Sequence, residues 1–162
     1  MRRTYSRSER LARASLRAAL NIRGLWEEKG SSDTRLLEGL LLPDDLVLAG
    51  RSRAWTGAGR REHVVPRKVI LDECHRLLGQ GEGDDVIAAV IRDHVRIVLI
   101  TREECERLDR RAGLGLRQRM PDGWRFGDDI HARLAAAGIV WDPILPEDMP
   151  DPGGAGAASG AG

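Results

Sequence analysis

Arg61-Glu62-His63-Val64-Val65-Pro66 and Arg96-Ile97-Val98-Leu99-Ile100-Thr101-Arg102-Glu103-Glu104-Cys105 are the stretches that decide the fold. The first reads as a strand ending at an acid-histidine pair, because Pro66 breaks a ladder and suits the first turn of a helix. The second carries aliphatic residues on both strand faces, as a central buried strand does. It then passes through Thr101 and Glu104, a capping box, straight into a helix that runs to about Arg111. Joined, the two make a strand-loop-strand-helix finger. His63 and Cys105 lie 42 residues apart, so the loop between the strands must hold structure of its own.

That loop offers two helices. Ile70, Cys74, Leu77 and Leu78 form an apolar stripe up to Gly79-Gln80-Gly81, which marks Cys74 as core and leaves His75 off the stripe, solvated. Asp84 or Asp85 caps the second, with Val86, Ala89 and Val90 inward, and His94 closes it before the strand Val95–Ile100. Upstream, Ser6 to about Lys29 reads as a helix with Ala12, Leu16, Ala19, Ile22 and Trp26 inward and Arg7, Arg10, Arg13 and Arg17 off that stripe. Ser32 or Asp33 caps a short helix through Leu41, which Pro43 interrupts, and residues 46–49 continue as a strand or turn. Arg51 to Arg61 is a Gly-punctuated hairpin or loop around Trp55. Downstream, Asp128-Asp129 starts a last helix that Gly138 ends, and residues 146–162 form an acidic, then Gly/Ala/Ser-rich tail expected to be disordered.

The expected fold class is therefore α+β: a mainly helical small domain with a ββα-like finger and a disordered C-terminal tail. Residues 1–50 are an N-terminal helical region, 51–112 the finger with its helical insertion, and 113–145 a C-terminal loop and helix. At 162 residues, 41% apolar and 31% charged, the chain fits one soluble domain. Met1-Arg2-Arg3-Thr4 leads into a charged periodic segment without the apolar region of a secretory signal, so a cytoplasmic protein without membrane association is expected. Cys74 and Cys105 form neither a disulfide framework nor a Cys-x-x-Cys knuckle.

A net charge of +1 hides strong segregation. Residues 1–29 carry eight basic and three acidic groups, 50–70 six and one, and 107–125 six and two, whereas 71–106 carry four and nine. Converging basic segments would attract phosphates, making DNA or RNA the expected partner, with Arg51, Arg53, Arg60, Arg61, Arg67 and Lys68 as the nearest contacts. The plain alternative is solvated helix faces paired with the acidic segments.

In metal-dependent phosphodiester hydrolysis an ion stabilises charge on the phosphate while an imidazole takes a proton from water. Glu62 has the chemistry for the first task and His63 for the second. Neighbours on a strand point to opposite faces, so the pair can cooperate only if the strand ends or bends there. These residues resemble the HNH endonuclease family, the His-Me or ββα-metal finger. Its first motif is an acid-His pair followed by an aliphatic residue and Pro, matched by Glu62-His63-Val64-Val65-Pro66. Its second is a strand and helix similar in pattern to Arg96–Cys105. The resemblance implies His63 as general base, and Glu62 and position 105 as ligands of one divalent ion, Mg²⁺ or Mn²⁺.

The chain departs from that pattern at Arg96, where the family commonly has Asn, and at Cys105, where it has His or Asn. The only asparagine is Asn21. His94 is the candidate to replace the orienting residue beside Arg96. Cys105 suits a softer ion such as Zn²⁺, and Glu104 or Asp109 offers an oxygen from the same helix. Plainer roles stand beside these: Glu62 balancing Arg60 and Arg61, His63 bonded to backbone, His94 at a helix C-terminus, Cys105 in the core. Trp124 and Phe126, grouped with Arg125, suit either base stacking or packing beneath the last helix. Three functions remain open: an HNH-like metal-dependent nuclease or nuclease-derived protein, a non-catalytic nucleic-acid-binding regulator, and a protein-protein inhibitor or adaptor of a mobile genetic element.

Overall fold

Ile97–Ile100 forms a central strand, as its two aliphatic faces predict, with Ile97, Val98 and Ile100 buried. The computed structural model describes residues 2–110 and 113–144. In chain order these give α1 (Arg7–Lys29), a 3-10 turn (Thr34–Leu37), α2 (Asp44–Val47), β1 (Leu48–Ser52) and β2 (Arg60–His63). They continue with α3 (Arg67–Gly79), α4 (Asp84–His94), β3 (Ile97–Ile100), α5 (Arg102–Asp109), α6 (Ala132–Ala136) and β4 (Trp141–Pro143). The sheet order is β2-β3-β1-β4. β2 runs antiparallel to β3 with Glu62 opposite Val98 and His63 opposite Ile97, β1 runs parallel to β3, and β4 antiparallel to β1.

The α+β class is as the sequence indicates, and β2, β3 and α5 follow the strand-strand-helix order with α3 and α4 filling the intervening loop. Because β3 lies between β1 and β2, the segment joining them is a loop and not a hairpin. It enters β2 at Gly59, where a Cβ would sit 2.1 Å from the Ile100 carbonyl oxygen and 2.7 Å from the Trp55 ring. Only a glycine lets the backbone approach β3 so closely. Thr101 and Glu104 form the capping box of α5 that the sequence announces.

One apolar core joins all regions, from Ala18 and Ile22 through Ile70, Ile91 and Ile97 to Leu134. The stripe of α1 differs from the sequence reading. Leu11, Ala14, Ser15, Ala18, Ala19 and Ile22 face inward, while Ala12 and Leu16 face solvent. Small residues win this face because α1 lies along α4, and close helix packing favours short side chains over leucine.

Other elements also differ. The turn capped by Asp33 is a 3-10 turn that stops at Leu37, short of the expected Leu41. Gly83 occupies the cap of α4, with Asp84 and Asp85 in its first turn. The last helix begins at Ala132 and not at Asp128, since Asp128 accepts from the Arg125 N–H and Asp129 from the His131 N–H, both side-chain turns that compete with helix. His75 is not simply solvated: it stacks on Trp26 at 4.9 Å and lies 2.6 Å from the Ser32 hydroxyl. Among the described residues no helix is long and apolar enough to cross a membrane. The expected tail at 146–162 lies outside the described residues.

Candidate functional site

β2 positions the site by its period of two. Arg60 and Glu62 project toward α5, where Arg60 donates to Asp109 at 2.8 Å, and Arg61 and His63 project to the other face, where Arg61 pairs with Asp44. The strand therefore separates the acid from the histidine.

On the α5 side, ligand atoms of Glu62, Cys105 and Asp109 lie within 4.8 Å of one another. Cys105 and Asp109 sit one helical turn apart on α5. The structure thus unites Glu62 with position 105, as the finger pattern expects, and adds Asp109. Glu104 does not join them. One of its oxygens accepts from the Ser52 hydroxyl at 2.6 Å and the other from the Thr101 N–H at 2.9 Å, so it fastens α5 to β1.

The group that governs this cluster is Arg133 on α6, whose side chain is 0% exposed. It donates to the Leu116 carbonyl at 2.9 and 2.7 Å, to the His63 carbonyl at 2.7 Å and to Glu62 Oε1 at 3.0 Å. Arg60 closes the opposite side, with Nε 3.5 Å from Glu62 Oε2 and Nη1 3.1 Å from Cys105 Sγ. Two carboxylates thus face two guanidiniums. Burial raises the pKa of the Glu62 carboxyl above its ordinary value, and the charges of Arg133 and Arg60 offset that only in part. Burial also raises the pKa of the Cys105 thiol.

On spacing alone the three groups suit a metal, but the donor set does not fit the ion the resemblance implies. Mg²⁺ and Mn²⁺ take oxygen ligands in near-octahedral order, and Zn²⁺ requires cysteine as thiolate. Here Arg133 holds Glu62 Oε1 at 3.0 Å, Arg60 Nε stands 3.5 Å from Oε2 and Arg60 Nη1 lies 3.1 Å from Cys105 Sγ, so guanidinium already faces two of the three groups.

His63 sits apart. Burial, then the charges of Arg67 and Arg61, lower its pKa to about 4, so its imidazole is neutral at neutral pH. Its Nδ1 is buried with no hydrogen-bond partner among the described residues, which excludes the expected bond to backbone. His94 and Arg96 do not reach the cluster. His94 ends α4 with Nδ1 2.8 Å from the Val90 carbonyl and packs against Phe126 at 4.9 Å and Trp124 at 6.4 Å. Arg96 donates to the Arg92 and Val95 carbonyls.

The cations expected to hold phosphate mostly have acidic partners: Arg53 with Asp142, Arg67 with Glu38, Lys68 with Asp72. Arg51 is exposed with no such partner among the described residues. Around His63 lies an open cleft of about 510 Å³ lined by the cations Arg61, Arg67, Lys68 and Arg117 and the acid Glu38, with Arg60 and Glu62 bordering it from β2. α3 begins at this cleft with neither a side-chain cap nor an acidic residue in its first turn.

Sequence reasoning missed Arg133 and Arg117. A trace of the first was available: Arg133 is the sole basic residue in 126–162, set among alanines and Leu134 on an apolar helix. No protein-family model, curated protein or solved structure matches the chain.

Proposed function

We propose that this is a cytoplasmic nucleic-acid-binding protein, built on a finger scaffold, that holds phosphodiesters without hydrolysing them. The observation that carries the reading is the Arg133–Glu62–Arg60 arrangement. It places guanidinium where a hydrolytic centre needs an ion, while the neutral imidazole faces away. The binding surface is the basic cleft around His63. The partners of Arg61, Arg67 and Lys68 are part-exposed carboxylates, and such pairs contribute only about 0–1 kcal/mol each, so an arriving phosphate competes with them readily. A neutral imidazole and uncapped helix N–H groups suit an incoming phosphate oxygen as well.

A second reading retains a metal, favoured by the 4.8 Å spacing of Glu62, Cys105 and Asp109. It requires Glu62 to take an ion while Arg133 holds its Oε1 at 3.0 Å and Arg60 Nε stands 3.5 Å from its Oε2, and we rank it below the first.

Fluorescence anisotropy with labelled single-stranded DNA, duplex DNA and single-stranded RNA in EDTA tests the proposal. Saturable binding is expected, with affinity falling about 100-fold or more over a tenfold rise in salt if roughly three phosphates are neutralised. Arg117→Glu should weaken it about tenfold. Absence of binding to all three at low salt refutes the proposal.

A further inference from the structure

α1 turns an outward stripe to solvent that none of the described residues covers. Leu16 is 42% and Leu20 49% exposed, on the face opposite the buried Ala14, Ala18 and Ile22. Gly24 lies on the same outward face, and a Cβ there would meet nothing within 4 Å. Glycine inside a helix is less favourable than alanine. The described residues give no steric reason for it, so close approach of another surface supplies one. A shallow cleft of about 320 Å³ lies here, lined by Leu20, Asn21, Gly24, Leu25 and Glu28.

We propose that α1 pairs antiparallel with α1 of a second copy of this chain, about a twofold axis through Leu20. The outward residues Arg13, Leu16, Leu20, Gly24 and Glu27 are spaced 3, 4, 4 and 3 apart, a palindrome centred on Leu20. An axis there sets Leu20 against Leu20, Leu16 into the cleft over Gly24, and Arg13 opposite Glu27. Such self-complementarity is what an isologous interface demands. Charge selects the direction. The N-terminal half of the stripe carries Arg13 and Arg17 and the C-terminal half Glu27 and Glu28, so antiparallel pairing joins opposite charges and parallel pairing joins like ones. Neither end is firmly engaged within the chain: Arg13 lies over the Tyr5 ring at 4.4 Å, and Glu27 reaches Arg23 only at 3.7 Å. The helix, about 35 Å long at 1.5 Å per residue, offers a narrow seam, so a reversible dimer is expected and not a permanent one.

Sedimentation equilibrium of the full chain from about 5 to 500 μM tests this. A monomer-dimer equilibrium is expected, weakened at least tenfold by Leu20→Glu. Gly24→Leu fills the cleft and should weaken the dimer similarly while leaving the thermal midpoint unchanged or higher, a split that misfolding cannot produce. Arg13→Glu should weaken pairing, and Arg13→Glu with Glu27→Arg should restore it. A monomer throughout the range, or a dimer indifferent to both Leu20→Glu and Gly24→Leu, overturns the proposal.

Discussion

Replacing Arg133 by Met removes a fully buried cation that bridges β2, the Leu116 carbonyl and α6. Glu62, 5% exposed, then keeps only the more distant Arg60, and two carbonyl oxygens lose their donor. Breaking a buried pair by deleting one partner costs about 3–5 kcal/mol, a large part of the roughly 5–15 kcal/mol that holds a domain together. Glu62→Leu should cost a similar amount by leaving Arg133 unpaired. The double variant, Arg133→Met with Glu62→Leu, should cost clearly less than the sum, because neither charge is left alone in the interior. The bonds from Arg133 to Leu116 and His63 are lost in both limbs of the cycle and cancel. A coupling of about 2–3 kcal/mol is expected from urea unfolding of the four proteins. Coupling below about 0.5 kcal/mol would falsify the claim that these two charges neutralise each other.

His63 should impose a pH dependence. Its folded-state pKa of about 4 lies below the 6.5 of the unfolded chain, so the unfolded state takes the proton first as pH falls. Stability is complete above about pH 6.5 and should be lost progressively toward pH 4, by up to about 3 kcal/mol. His63→Gln should lack that component, and urea curves of the two proteins with the same pH dependence would contradict it. Gly59→Ala should cost roughly 1–3 kcal/mol by forcing β2 away from β3, seen as a lower thermal midpoint. An unchanged midpoint would mean that the close approach to Ile100 is not required.

What the sequence disclosed follows from how local each signal is. The capping box at Thr101 and Glu104, the aliphatic run 97–100 and the Pro66 helix start depend on neighbours a few residues away, and all three are present in the structure. The α1 stripe was misplaced because helical periodicity alone does not distinguish a leucine face from an alanine face. Contact with α4, some 60 residues on, decides it. The convergence of Glu62 with Cys105 was an expectation of the resemblance alone, and the two do lie together in the structure. The neutralisation of Glu62 was not legible, because Arg133 lies 71 residues beyond it and only the tertiary fold unites them. Joining Glu62 and His63 in one site rested on the strand ending or bending at the pair; the strand stays regular to His63, so each side chain keeps its own face.

Incubation of the purified protein with plasmid DNA and single-stranded RNA, in EDTA and in Mg²⁺, Mn²⁺ or Zn²⁺, tests the central claim most directly. Substrates that remain full length under every ion, while binding persists in EDTA, are the expected result. Cleavage that needs an ion and disappears in both EDTA and Glu62→Gln would mean that Glu62 holds a metal despite Arg133, and the non-hydrolytic account would be wrong.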